Sequence, residues 1–125
     1  MKIYVGHSKD YDFKKELYIP LRISPLDCKY EIILPHENSS VPYNSKELMK
    51  SIDFMIAEVS LPSTGLGIEL GWADMLNIPI LAVYKKGSKL SQSVKKTAKY
   101  SLEYGDSSEL IRGIESILKA LNSKF

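Results

Sequence analysis

Two stretches of this 125-residue chain are continuously apolar instead of alternating between apolar and polar residues. They span residues 54–59, interrupted only by Glu58, and residues 79–84. A strand with such a sequence is buried on both faces, as happens in parallel sheets that are covered by helices on either side. Because parallel strands need long crossover connections, these stretches predict an α/β domain.

Segments with helical periodicity separate five candidate strands. The strands are predicted over residues 3–5, 31–34, 54–59, 79–84 and 100–104, and the helices over 12–22, 44–51, 64–76, 91–96 and from 106 onward. Asn44 with Glu47 and Asp106 with Glu109 are predicted to cap two of these helices. The repeated β–α order predicts one doubly wound, flavodoxin-like or Rossmann-like domain over residues 1–125, with a parallel sheet of strand order 2-1-3-4-5.

The composition is that of an ordinary globular protein, with 44% hydrophobic and 26% charged residues. A formal net charge of +2 is too small to argue for a nucleic-acid polymer or a membrane as partner. The single cysteine, Cys28, excludes an intrachain disulfide and fits a reducing compartment. No apolar run approaches the roughly 20 residues of a membrane span. We therefore expect a cytoplasmic protein.

The segment 57–71 ends a strand, turns over small residues and starts a helix. The backbone of residues 63–65 falls at the helix N-terminus, where unpaired N–H groups can receive an anion. Glu69 falls on the second helical turn and borders the apolar stripe that contains Leu66 and Leu70. A carboxylate at that place, just past an anion-binding turn, indicates a functional site.

This segment resembles the nucleoside 2-deoxyribosyltransferase superfamily, especially the 2'-deoxynucleoside 5'-phosphate N-hydrolases. Their signature of an aspartate, an apolar run, Ala-Glu-Val, Pro-Ser, Gly-x-Gly and x-Glu-Leu-Gly is present without a gap from Asp53 to Gly71. The resemblance implies cleavage of the N-glycosidic bond of a (deoxy)nucleoside or its 5'-monophosphate, by a hydrolase or a deoxyribosyltransferase. It implies that Glu69 is the nucleophile that attacks the anomeric carbon. It assigns the 5' end of the substrate to Ser63, Gly65 and Gly67.

Further candidate substrate-binding residues follow the first two strands, where doubly wound sheets bind ligands. Gly6, His7 and Lys9 follow strand one, and Lys9 stands where the family often has arginine, supplying charge without the bidentate fork. His36 matches a histidine of some nucleotide N-hydrolases. Ser91 resembles a serine that reaches the phosphate across a dimer interface in those hydrolases.

Other conspicuous residues have structural interpretations. Glu58 is expected to hold a loop or backbone group by hydrogen bonds, with no catalytic role. Trp72 is expected to pack in the protein rather than to stack on a base. No spacing typical of metal ligands is present, and we expect no metal and no cofactor.

Two family positions differ in this chain. Ser45 stands where the family has an aspartate that assists the leaving base, which puts catalytic activity in question. Ile3 stands where a tyrosine is common, and Tyr4 is expected to point to the opposite face. Without the aspartate, protonation of the base would fall to another residue, with His7, His36 and Glu37 as candidates.

The sequence leaves two other functions open. One is a TIR-like domain that cleaves or binds NAD, because TIR domains share this sheet and also use a helical glutamate. The other is a non-catalytic nucleotide-binding sensor, since the aspartate is missing. We also expect a homodimer or larger oligomer, with Leu66, Trp72 and Met75 as part of its interface.

Overall fold

The computed structural model describes residues 1–38 and 45–122 and contains one five-stranded parallel sheet of order 2-1-3-4-5, which confirms the predicted fold class. The strands are β1 (Lys2–His7), β2 (Glu31–Ile33), β3 (Phe54–Glu58), β4 (Ile80–Lys85) and β5 (Tyr100–Tyr104). In the register of β1 with β3, Gly6 pairs with Ala57 and His7 pairs with Glu58. The carboxyl ends of these two strands therefore lie side by side.

Six α-helices are found in the described residues, and one π-helical turn, Lys14–Tyr18, precedes the first of them. The helices are α1 (Ile19–Arg22), α2 (Leu26–Lys29), α3 (Ser45–Met49), α4 (Thr64–Met75), α5 (Gln92–Thr97) and α6 (Ser107–Asn122). The helix predicted over 12–22 is present as the π-helical turn followed directly by α1. Pro20 has no N–H to donate, and its ring crowds the carbonyl of Glu16, so the preceding turn widens.

Helix capping was predicted at two places. The Asp106 carboxylate accepts a hydrogen bond of 2.8 Å from the backbone N–H of Glu109, which confirms the cap of α6. Asn44, the expected cap of α3, lies outside the described residues.

Buried apolar side chains cover both faces of the sheet. Phe54 and Ile56 of β3 belong to the cluster under α6, whereas Met55 and Ala57 belong to the cluster under α4. This alternation confirms that the apolar run is buried on both sides. No helix within residues 1–38 and 45–122 combines the length and apolar character needed to cross a membrane.

Candidate active site

A cavity of about 640 Å³ opens at the carboxyl ends of β1 and β3, beside the N-terminus of α4. We call it the Glu69 cavity. The candidate residues that the structure brings together in its lining are His7, Lys9, His36, Ser63, Gly65 and Glu69. The position agrees with the rule that doubly wound sheets bind ligands where the strand order reverses.

Glu69 is half-buried on α4 and is held by a tyrosine from the sheet. The Tyr4 hydroxyl donates a hydrogen bond of 2.5 Å to Oε2 of Glu69. Among the described residues, no donor is assigned to the other oxygen, Oε1. Burial and the neighbouring Glu69 carboxylate raise the pKa of Tyr4 well above its ordinary value, so Tyr4 stays a hydrogen-bond donor. Within the part of the chain that the structure describes, one carboxylate oxygen is therefore fixed while the other accepts no hydrogen bond.

Tyr4 is a site residue that sequence reasoning missed. Its side chain does point away from the face of Ile3, as expected, but that direction leads to α4 and Glu69. Tyr4 and Gly6 are two residues apart on β1 and so share a face of the sheet. Since Gly6 was already a candidate, this alternation was a signal that could have identified Tyr4.

Ser45, which stands at the family's aspartate position, also lines the Glu69 cavity. Its side chain lies near the Tyr4 hydroxyl and lowers the pKa of Tyr4, against the larger raising effects of burial and Glu69. Ser45, Tyr4 and Glu69 all line the same cavity. A neutral hydroxyl thus takes the place of the expected carboxylate.

Gly6 allows α4 to approach β1 closely. A Cβ at this position would lie 2.9 Å from Cδ1 of Leu66, 2.9 Å from Cε of Met55 and 3.3 Å from Oε1 of Glu69. The first two separations are shorter than any normal contact. The structure therefore gives Gly6 a packing role that also sets the place of Oε1.

The N-terminus of α4 forms one wall of the cavity. Ser63 caps the helix, because its hydroxyl accepts a hydrogen bond of 3.4 Å from the Leu66 N–H. The amides of Thr64 and Gly65 precede the first intrahelical hydrogen bond, in which the Gly67 N–H donates to the Ser63 carbonyl at 3.0 Å. Two backbone donors therefore remain at the positive end of the helix dipole, where an anion is favoured.

Gly65 is not required by packing. A Cβ built at Gly65 meets no atom within 4 Å, and the same holds at Gly67 and Gly71. Glycine inside a helix costs about 1 kcal/mol relative to alanine. At Gly65, which lines the Glu69 cavity, the missing side chain leaves space for a ligand beside the helix amides.

His7 is buried, with 7% of its surface exposed, and both ring nitrogens have partners. Nδ1 lies 3.0 Å from the Ser8 carbonyl oxygen, and Nε2 lies 2.7 Å from the Tyr18 hydroxyl. The carbonyl can only accept, so Nδ1 carries the proton and Nε2 accepts from Tyr18. Burial lowers the pKa of His7 below its ordinary value. His7 is therefore a neutral imidazole that orders the cavity wall.

The other candidates for a proton donor differ in their surroundings. Both oxygens of Glu37 accept hydrogen bonds from Arg22, at 2.8 and 2.9 Å, and this pairing lowers the pKa of Glu37. Glu37 does not line the cavity, whereas the half-buried His36 does. Lys9 lines the same cavity from the loop after β1 and is exposed.

Gly67 and Ser91 do not line the Glu69 cavity. They line a separate cavity of about 340 Å³ between α4 and α5, which shares Pro62, Ser63 and Leu66 with the first. Among the described residues that line it, Lys89 is the only titratable one, and none of them is a carboxylate that could act as nucleophile. Ser91 caps α5 by accepting a hydrogen bond of 3.2 Å from the Val94 N–H.

Two structural interpretations were also tested by the geometry. Glu58 accepts a hydrogen bond of 2.6 Å from the Ser60 N–H, which confirms that it holds a backbone group. Trp72 packs against the apolar cluster under α4, as predicted, and also lines the Glu69 cavity.

Leu66 was wrongly expected at a subunit interface, because only 4% of its surface is exposed within the single chain.

Comparison with known proteins gives two curated relatives, both named 2'-deoxynucleoside 5'-phosphate N-hydrolase 1. The protein of Syntrophotalea carbinolica is 44% identical over 45 residues, which are 36% of this chain and 32% of the relative. The protein of Methanosarcina barkeri is 36% identical over 77 residues, which are 59% of this chain and 48% of the relative. The chain thus matches less than half the length of either relative. No protein-family profile matches it.

Solved structures share the fold. A CMP N-glycosidase of Clostridium botulinum superposes with a TM-score of 0.68 at 17% identity, covering 92% of this chain and 99% of the neighbour. A conserved protein of Enterococcus faecalis superposes with a TM-score of 0.63 at 17% identity, covering 93% and 98%. Together with the sequence relatives, this common fold supports the resemblance to the nucleoside 2-deoxyribosyltransferase superfamily.

Proposed function

We propose that this protein, as a member of the nucleoside 2-deoxyribosyltransferase superfamily, cleaves the N-glycosidic bond of a nucleoside 5'-monophosphate with Glu69 as nucleophile. The observation that carries the proposal is the Tyr4–Glu69 pair, which fixes one carboxylate oxygen and, among the described residues, leaves Oε1 without a donor. The names of the two sequence relatives support the same reaction class.

In the proposed reaction, Oε1 of Glu69 attacks C1' as the bond from C1' to the base nitrogen breaks. The base leaves with the bonding electron pair, and a glycosyl ester forms on Glu69. His36 is the candidate that lines the cavity and can supply the proton to the base. Water then attacks C1', its proton is lost to solvent, and the carboxylate of Glu69 is released. A nucleobase acceptor in place of water would make the enzyme a deoxyribosyltransferase.

A 5'-phosphate is the substrate group that fits the cavity wall formed by the N-terminus of α4. The amides of Thr64 and Gly65 can donate to its oxygens, and Lys9 adds one positive charge in the same cavity. Charge-assisted hydrogen bonds are about twice as strong as neutral ones. This wall therefore favours a nucleotide over a free nucleoside.

A second copy of the chain is proposed to cover the cavity. Ile68 is 49% exposed at the cavity wall, Met75 at the end of the same helix is 82% exposed, and Leu76, which follows the helix, is 45% exposed. A partner placed on this rim would bury these side chains and exclude water from the site. Sedimentation of the wild type against Met75→Glu tests this, and the charge should shift the protein toward monomer.

The direct test is incubation with nucleosides, nucleoside 5'-monophosphates and NAD, followed by chromatography of released base. The proposal expects base from a monophosphate. Base released from NAD alone would indicate the TIR-like activity instead. Release from nucleosides only in the presence of an acceptor base would indicate a transferase.

A non-catalytic nucleotide sensor is the second candidate, favoured by the serine at position 45. In that case monophosphates bind without turnover. Ser45→Asp would restore a carboxyl group beside Tyr4, and general acid catalysis contributes about 10²–10⁴-fold in rate. Turnover that appears only in Ser45→Asp would favour the sensor, whereas turnover in the wild type would exclude it.

A further inference from the structure

A second group of titratable side chains lies on the side of β3 that faces away from Glu69. Its centre is Glu58, the last residue of β3, which is 1% exposed. Tyr11 and Tyr104 beside it are 5% and 2% exposed. None of the three residues lines the Glu69 cavity. A buried carboxylate is costly unless it is well paired, so this cluster calls for an explanation.

Each oxygen of Glu58 has one donor. Oε1 accepts a hydrogen bond of 2.6 Å from the backbone N–H of Ser60, and Oε2 accepts one from the Tyr104 hydroxyl. The Tyr104 hydroxyl lies 2.6 Å from the hydroxyl of Tyr11. Because Tyr104 donates its proton to Glu58, Tyr11 must be the donor in the contact between the two phenols.

Lys85 makes a second set of contacts with the residues around Glu58. The Ser60 hydroxyl accepts a hydrogen bond of 2.9 Å from the backbone N–H of Lys85 at the end of β4. The Lys85 ammonium lies 2.5 Å from Glu16 and 5.3 Å from the centre of the Tyr11 ring. Ser60 and Tyr11 are thus each held from two directions.

The two segments that meet at Glu58 are the ones that carry the proposed phosphate contacts. Tyr11 belongs to the loop after β1, two residues beyond Lys9, and Ser60 opens the turn that leads to Ser63. Burial raises the pKa of Glu58 and of both tyrosines, so the phenols remain donors. The cluster therefore connects the loop after β1 with the turn after β3, on the face of the sheet that lies opposite Glu69.

We propose that Glu58 is a positioning residue that sets the loop after β1 and the turn after β3 relative to one another through Tyr104, Tyr11 and the Ser60 amide. Its consequence for substrate binding rests on the proposed function. The connection between the two segments does not, and can be tested without a substrate.

The first test is hydrogen–deuterium exchange of the protein without ligand, comparing the wild type with Tyr104→Phe. Exchange should increase in both segments, residues 8–13 and 60–64, by about five- to tenfold, as expected for the loss of one hydrogen bond. Tyr100→Phe, on the same strand, is the matched control and should leave both segments unchanged. If Tyr104→Phe does not fold, Tyr11→Phe removes the same link from the loop side.

The conservative variant Glu58→Gln tests whether the hydrogen bonds of residue 58, and not its negative charge, position the two segments. Its amide oxygen can still accept from Ser60, and its amide NH₂ can donate to Tyr104, which then donates to Tyr11. Exchange in both segments should therefore stay within about twofold of the wild type, whereas Glu58→Ala should raise it in both. Unchanged exchange in Tyr104→Phe, a change in only one segment, or a uniform increase over all strands would overturn the proposal.

The second test measures kcat and KM for the monophosphate that the wild type cleaves. Tyr11→Phe should raise KM by about five- to tenfold with kcat within about twofold, because the loop that carries Lys9 is loosened while Glu69 is untouched. A fall in kcat alone would contradict positioning of the phosphate walls. If the wild type cleaves nothing, the proposed function fails, and the exchange experiment still decides the role of Glu58.

Discussion

Tyr4 on β1 and Glu69 on α4 are 65 residues apart in the chain, and the Tyr4 hydroxyl lies 2.5 Å from Oε2 of Glu69. The contact requires the close approach of helix and strand that Gly6 permits. It converts a helical glutamate with many rotamers into a carboxylate with one oxygen fixed. Such restraint is what a nucleophile needs, because orientation before attack lowers the entropic part of the barrier.

Tyr4→Phe should lower kcat by about 10- to 100-fold, since a hydrogen bond to a charged group contributes about 1.5–3 kcal/mol. KM should change little, because the phosphate wall lies on α4 and not on Tyr4. Steady-state kinetics on a cleaved monophosphate measure both constants. Tyr100→Phe serves as control for the loss of a tyrosine hydroxyl, and equal activity in Tyr4→Phe and the wild type would refute a role for the contact.

Gly65→Ala should weaken monophosphate binding by about 10-fold or more, because its methyl group occupies the space beside the helix amides and costs a charge-assisted hydrogen bond. The fold should tolerate the change, since the added Cβ meets no atom within 4 Å. Calorimetric titration of a nucleoside and its monophosphate provides the measurement.

Gly71→Ala is the matched control for that experiment. It lies on the same helix, also has open space, and lines the second cavity. It should raise the free energy of unfolding by up to about 1 kcal/mol and leave affinity unchanged. Equal affinity of Gly65→Ala and Gly71→Ala for the monophosphate would show that the α4 terminus serves capping alone.

His7 should make stability depend on pH below its ordinary pKa of 6.5. Burial lowers the pKa of His7 in the folded protein, so the unfolded chain takes up its proton first as the pH falls. This stabilising contribution is complete above pH 6.5 and is lost as the pH drops toward the folded-state pKa. Urea unfolding across this range should show a steeper loss for the wild type than for His7→Gln, and parallel curves would contradict the neutral imidazole.

The sequence allowed a parallel sheet to be predicted because residues 54–59 and 79–84 are almost continuously apolar, and the repeated β–α order indicated its strand order. It also located Glu69, since a contiguous motif links the carboxylate to the turn before it. Contacts between distant segments were harder to predict. Tyr4 was missed because its partner is 65 residues away, and the local rule gave only the direction of its side chain.

The geometry of α4 explains why the residues predicted to hold the 5' end of the substrate line two different cavities. Gly65 and Gly67 are two residues apart on α4, so they point about 200° apart around the helix axis and line different cavities. A motif written along the chain does not show this separation. The π-helical turn before Pro20 was not distinguished from an α-helix, because the prediction rested on the spacing of three apolar residues over 12–22.

The central claim is that Glu69 attacks the sugar, and Glu69→Gln tests it most directly. The amide keeps the size of the side chain and can still accept a hydrogen bond from Tyr4, so the fold and monophosphate binding should persist. The rate of base release, measured by chromatography under single-turnover conditions, should fall at least about 10³-fold. The reason is that an amide cannot act as the nucleophile. Base release at the wild-type rate by a folded Glu69→Gln variant would contradict the account.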